Sequence, residues 1–270
     1  MLPCFLADDL ARPGTIWLLF QAITAFSLTA SAGYILNDWC DLGADRANGY
    51  RRSRSLAAGH ISPVAGLSLA LPLVLLAVGL SSRLPGTFTA TLGIYLFLTA
   101  SYSLGLKRLP IVDVMMLAGF YTLRLIAGGQ ATQTPVSAWL LTFAMFFFAS
   151  LAIAKRFVEL SGSELAADEL LTGRGYRADD LAFLLATGPN CGYLSVLVLA
   201  LYINSLTALQ HYHQPQLLWL VCPVVFYWVS RLWLLARRGE LHQDPVVFAV
   251  TDRVSWLAVA LCGALIVGAR

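Results

Sequence analysis

The most restrictive feature of this sequence is the length of its apolar runs. Eight segments, at roughly 14–36, 63–82, 86–106, 110–129, 137–157, 183–209, 216–236 and 253–269, are almost free of charge. Crossing about 30 Å of hydrocarbon at about 1.5 Å per residue takes about 20 such residues, so each segment is long enough to span a bilayer. Backbone amides find no water in lipid, which makes helices of all eight. None alternates in the manner of β-barrel strands. Composition agrees, with 58% hydrophobic and 12% charged residues. Soluble domains hold about 45–50% apolar and about 25% charged residues. Too few charges remain to cover a water-facing surface, which excludes a soluble enzyme, a nucleic-acid binder and a disordered chain. The expectation is an all-α integral membrane protein, a single domain over 1–270 with eight full transmembrane helices. Residues 1–12, beginning MLPCFLA, read as the remnant of a truncated first helix, with no cleaved presequence expected.

Lysine and arginine set the orientation. The loops at 37–62, 107–109, 155–182 and 237–252, the last closed by Arg253, hold thirteen of them, against three in the intervening loops (Arg12, Arg83, Arg270). By the positive-inside rule the rich loops are cytoplasmic, as in a multi-pass protein of a bacterial inner membrane. Apart from Asp8 and Asp9, the acidic residues lie in or beside the same loops. Most of these, such as Glu164, Asp168, Glu169, Asp179 and Asp180, read as ordinary solvated loop charge. The five cysteines and four histidines form no C-x-x-C pair or metal-ligand cluster. Gly188-Pro189 marks a kink within one span.

One stretch resists a solvated-loop reading: Asn37-Asp38-Trp39-Cys40-Asp41-Leu42-Gly43-Ala44-Asp45. Asp38, Asp41 and Asp45 are spaced by three and then four residues, so a continuing helix stacks them on one face, joined by Asn37. Carboxylates at a helix C-terminus oppose its dipole and repel one another. A hard divalent cation resolves that conflict, and Mg²⁺ typically bridges one or two carboxylates to substrate phosphates. Ionisable residues at the membrane are functional by default.

The stretch NDWCDLGADRANGYRRSRSLAAGHIS resembles the first signature of the UbiA superfamily of intramembrane prenyltransferases. Asn37, Asp38, Asp41 and Asp45 fill its N-D-x-x-D-x-x-x-D pattern, and Arg51, Arg52, Arg54, Gly59 and Ser62 follow in register. The resemblance covers essentially the whole chain. It implies a bundle of nine helices around a cavity open to cytoplasmic loops and to lipid, with Mg²⁺, a polyprenyl lipid and a diphosphate-bearing donor as the site's occupants. Family members usually carry a second aspartate-rich motif, but here that place reads Ala154-Lys155-Arg156-Phe157-Val158-Glu159. With Gly119-Phe120-Tyr121-Thr122-Leu123-Arg124 and Asp244 to Arg253, this resembles the decaprenyl-phosphate phosphoribosyltransferase branch. That branch is implied to transfer 5-phosphoribose from phosphoribosyl diphosphate to a polyprenyl phosphate.

An extra donor phosphate and a phosphate-bearing acceptor call for fixed positive charge, which arginine forks and lysine supply. Lys155, Arg156 and Arg124 are the candidates, with Tyr121 on the helical face of Arg124 and Glu159 one turn past Lys155, placed to position it. Lys107, Arg108, Arg51, Arg52 and Arg54 are secondary. Asp113 reads first as favourable charge at a helix N-terminus. Two other classes stay open: a prenyltransferase moving an isoprenyl chain onto an aromatic or isoprenoid acceptor, and a transporter, although no internal repeat is evident. No nucleic acid is expected, and no protein partner is indicated.

Overall fold

The computed structural model describes residues 14–47, 51–163, 170–171, 173–241 and 244–270, with backbone alone at Ala47 and Arg51. The expected remnant at 1–12, the residues Glu164, Asp168 and Glu169, and His242 lie outside the described residues.

All eight apolar segments are helical. The helices are α1 (Thr15–Cys40), α2 (Leu42–Ala47), α3 (Pro63–Ser81), α4 (Gly86–Leu104), α5 (Val112–Thr132), α6 (Ala138–Ser161), α7 (Leu181–Ile203), α8 (Leu206–His211), α9 (Val221–Arg237), α10 (Pro245–Thr251) and α11 (Arg253–Ala269). The expected count of eight complete spans is not reached. Among the described residues, six helices are long and apolar enough to cross a membrane, or seven if α10 and α11, bent by 76°, form one broken span. Two physical reasons account for the difference. Helix α4 spends its length on threonine, serine, glycine and tyrosine, and turns Thr91, Tyr95, Thr99, Tyr102 and Ser103 inward. Helix α11 has 17 residues, which rise about 25 Å, short of the hydrocarbon thickness. The segment at 183–209 also divides. Helix α7 ends at Ile203, and Ser205 caps α8 by accepting from Ala208 N–H.

The chain folds as two compact units, Met1–Val136 with Thr172–Gly175, and Ser137–Leu171 with Tyr176–Arg270. In the first, α1 lies against α3, α4 and α5. Small residues on α1, Ala22 and Ala25, let it approach the aromatic faces of α4 and α5. Phe26 meets Tyr95 at 4.6 Å between ring centroids, Tyr95 meets Phe120 at 5.4 Å, and Phe120 meets Tyr102 at 5.7 Å. These tilted and edge-on contacts are the favourable geometries for aromatic rings.

In the second unit, α6 packs on α7, α7 on α9, and α9 on α11. Buried Ser150 of α6 is the polar junction. It accepts from Trp233 Nε1 at 3.0 Å and donates to the Gly188 carbonyl at 2.7 Å. Helix α7 runs on through Pro189 without a break in helical structure. Asp244 caps α10 by accepting from Val246 N–H, and Asp252 caps α11 by accepting from Ser255 N–H. Arg231, embedded in an apolar segment of α9, finds its anion there, with two hydrogen bonds to Asp252 at 2.8 and 3.0 Å.

Candidate active site

The aspartate motif sits where α1 gives way to α2. Asp41 lies in the turn between them, yet Asp41 N–H reaches the Asn37 carbonyl at 2.9 Å and Asp45 N–H the Asp41 carbonyl at 2.8 Å. Helical spacing therefore survives the break, and the motif keeps its polar residues on one face as expected. The tail of the motif is a helix entry. Ser62 caps α3 by accepting from Ala65 N–H, with Pro63 as first helical residue.

Two cations meet these carboxylates. Arg54 Nη1 stands 3.0 Å from both Asp38 Oδ1 and Asp45 Oδ2. Lys107 Nζ lies 2.5 Å from Asp41 Oδ1 and 3.1 Å from Asn37 Oδ1. Asn37 Nδ2 in turn donates to Asp41 Oδ2 at 3.3 Å. The burial of the two pairs differs: the Lys107 and Asp41 side chains are 2% and 7% exposed, whereas Arg54 and Asp38 are 39% and 32% exposed. Burial pushes the Lys107 ammonium below its usual range, against the pull of Asp41. The short turn Leu106–Arg108 that carries Lys107 leads into Ile111, whose φ of 67° is costly for a β-branched residue.

Deeper in the same unit, Arg124 has no carboxylate partner among the described residues. Its guanidinium donates to Tyr95 Oη at 3.1 Å and lies over the rings of Tyr121, Tyr95 and Phe26 at 4.8, 5.6 and 5.8 Å. Aromatic faces stabilise a cation without neutralising it, so this arginine is held in place with its charge available. Sequence spacing pointed to Tyr121. It missed Tyr95, which belongs to another helix and bears no local signal. Asp113, read from sequence as a helix N-terminal charge, is fully buried and accepts from Tyr102 Oη at 2.8 Å.

The remaining expected residues lie in the second unit. Arg156 is 1% exposed and is bound by Glu159. Three-residue spacing brings Glu159 to Arg156, a partner the sequence reading did not name. Lys155 Nζ reaches Asp244 Oδ2 at 2.5 Å, across 89 positions of sequence. Burial works to raise the Asp244 carboxyl, yet Lys155 and the Val246 N–H outweigh it and hold the group below its usual value. Asp244 was legible only as part of a family-like stretch, because its partner is far away in the chain.

Among the described residues no three acidic, histidine or cysteine side chains form a group able to hold a metal by themselves. The oxygen donors of Asn37, Asp38, Asp41 and Asp45 are nevertheless gathered on cationic groups, Arg54 and Lys107. That donor set has the chemistry Mg²⁺ prefers, and Mg²⁺ needs only one or two carboxylates when substrate phosphate completes its shell. The residues fit the ion.

Comparison with known proteins agrees with the geometry. The family model described as the UbiA prenyltransferase family matches residues 1–257. The uncharacterized protein y4nM of Sinorhizobium fredii is 38% identical over 88% of this chain, which spans 46% of that relative's length. Nodulation protein NoeC of Azorhizobium caulinodans is 32% identical over 96% of this chain and 83% of its own. A decaprenyl-phosphate phosphoribosyltransferase of Corynebacterium glutamicum is 32% identical over 57% of this chain and 47% of its own. A solved structure from work on digeranylgeranylglyceryl phosphate synthase in membranes superposes with a TM-score of 0.65 at 14% identity, over 99% of this chain and 89% of that one. The last likeness establishes the fold alone. With a family match across nearly the full sequence, several membrane-length helices and the shared fold, this integral membrane, multi-pass chain belongs to the UbiA prenyltransferase family.

Proposed function

We propose that this chain is a Mg²⁺-dependent intramembrane transferase acting on a polyprenyl lipid at the cytoplasmic face of a bacterial inner membrane. Its favoured reaction is transfer of 5-phosphoribose from phosphoribosyl diphosphate to polyprenyl (decaprenyl) phosphate. The observation that carries the reading is the oxygen face of Asn37, Asp38, Asp41 and Asp45 with Arg54 and Lys107 against it. The basic pair Lys155-Arg156 where prenyltransferases are acidic supports the phosphoribosyl reading, as does likeness to phosphoribosyltransferases from Corynebacterium and Mycobacterium.

Asp38, Asp41 and Asp45, helped by Asn37, are the residues that would hold Mg²⁺. When bound, the ion supplies stabilisation of negative charge on the diphosphate leaving group. Lys107 and Arg54 orient the diphosphate beside the carboxylates. The bond from ribose C1 to the diphosphate oxygen breaks as C1 takes on oxocarbenium character. An oxygen of the acceptor phosphate then bonds C1, and diphosphate departs with the bonding electrons. The acceptor is already ionised at neutral pH, so no strong base is required. Arg124, Lys155 and Arg156 serve the remaining phosphates, and the aliphatic tail stays in lipid between helices.

Likeness to a 4-hydroxybenzoate octaprenyltransferase, 32% identical over 52% of this chain, favours a second reading. In that reading an isoprenyl diphosphate is the donor and an aromatic compound or an isoprenoid the acceptor. Purified protein in detergent is offered phosphoribosyl diphosphate or isoprenyl diphosphate, each labelled in the transferred group. Ribose label entering a lipid phosphate supports the favoured reaction. Isoprenyl label entering an aromatic or isoprenoid acceptor overturns it in favour of the second, and no Mg²⁺-dependent product with either overturns both.

A further inference from the structure

The tripeptide Gly173-Arg174-Gly175 lies far along the sequence from the aspartate motif, yet it belongs to the same compact unit. Both flanking residues are placed where a side chain is unwelcome. Gly173 has φ +77°, and a Cβ on it would stand 3.8 Å from Ala44 Cβ, next to Asp45 on α2. A Cβ on Gly175 would collide with the Arg108 carbonyl oxygen and lie 2.7 Å from Pro110 Cδ, on the turn that carries Lys107. The backbone at Gly175 is thus pressed against the turn that carries Lys107, and at Gly173 it lies beside α2. The residue in the middle is an arginine. Its guanidinium carbon is 5.9 Å from the Tyr102 ring centroid, and Tyr102 is fixed by its hydrogen bond to buried Asp113. It stands close enough to Lys107 for the two positive charges to repel.

We infer that Arg174 is a binding residue for the phosphate groups of a diphosphate-bearing donor at the aspartate motif, and that Gly173 and Gly175 serve to place it there. This deepens the proposed function and rests on that reading of the site. Asp38, Asp41 and Asp45 are met by Arg54 and Lys107, three negative charges against two positive, with Arg174 beside Lys107. A divalent cation then leaves the site positive, which suits a diphosphate. Arginine's planar fork, seated on an aromatic ring, is suited to phosphate oxygens.

The test is binding of inorganic diphosphate, with Mg²⁺, to the purified full chain in detergent by calorimetry. Inorganic phosphate and phosphoribosyl diphosphate are titrated in parallel. Arg174→Gln is expected to weaken diphosphate binding by 10- to 100-fold, and Arg174→Lys by less. Arg177→Gln, on an exposed neighbour, leaves it unchanged. Gly175→Ala is expected to reproduce the loss by displacing the arginine. Arg174→Met keeps a long side chain on Tyr102. If it lowers the melting temperature while leaving diphosphate affinity at the wild-type level, Arg174 only packs and the inference is overturned. Equal binding by wild type and Arg174→Gln overturns it as well, with the reading of the site intact. Failure of the wild type to bind diphosphate or the donor overturns both.

Discussion

Lys107 Nζ lies 2.5 Å from Asp41 Oδ1, with the two side chains 2% and 7% exposed, so each charge depends on the other for its solvation. Removing one partner strands a buried charge at a cost of about 3–5 kcal/mol. Lys107→Met is therefore expected to lower the melting temperature sharply. Combining it with Asp41→Asn recovers most of the stability, and activity stays absent in both. Thermal unfolding in detergent measures the cycle, and additive destabilisation in the double variant contradicts the pairing.

Arg54 bridges Asp38 and Asp45 at 3.0 Å each, on a side chain 39% exposed. Its loss leaves Asp38, 32% exposed, to water, but takes a cation from Asp45, whose side chain is 1% exposed, so a measurable loss of stability is expected. Asp38→Ala or Asp41→Ala abolishes turnover while the protein still inserts into membranes. Product formation by membrane-inserted variants checks this, and full activity in either removes the motif from the chemistry.

Lys155 and Asp244 give a pH dependence of definite sign. The folded Asp244 carboxyl sits below its usual value, since Lys155 and Val246 N–H outweigh the effect of burial. The pair's contribution is thus complete above the ordinary carboxylate pKa of about 3.9. It is lost as pH falls through the lower folded value. Lys155 is 41% exposed, so water screens the interaction, and the contribution stays at about 1 kcal/mol or less. Melting temperatures of wild type and Asp244→Asn are expected to differ slightly at neutral pH and to converge in acid.

Arg124 is held by ring faces and one phenol rather than a carboxylate. Arg124→Lys keeps the charge and loses the planar fork, and kcat/KM is expected to fall at least 10-fold. Tyr95→Phe removes the hydrogen bond that the charged guanidinium donates, worth about 1.5–3 kcal/mol, but keeps the ring beneath it, and is expected to cost up to about 10-fold. Steady-state kinetics with a dispersed lipid acceptor resolves the two. Equal rates in Arg124→Lys and wild type exclude a role for the guanidinium.

What the sequence reveals follows the range of the interaction. Length and apolarity mark the helices, and i, i+3, i+4 spacing sets the aspartate face, because both are local. Spacing also places Tyr121 beneath Arg124. It does not single out Arg156 as a partner of Glu159, because three- and four-residue neighbours both lie within reach of one carboxylate. Lys155 with Asp244, Arg124 with Tyr95 and Tyr102 with Asp113 join separate helices, and no local pattern encodes which helix arrives. The span count of eight is not confirmed for a related reason: the inward-facing polar residues of α4 lower its apolarity.

Asp252 serves three masters with two oxygens: the start of α11, the bend between α10 and α11, and the guanidinium of Arg231. None of the three can be altered by itself. Through that one carboxylate the side chain of Arg231 on α9 is tied to the first turn of α11. Neutralising that single carboxylate disconnects both arms at once.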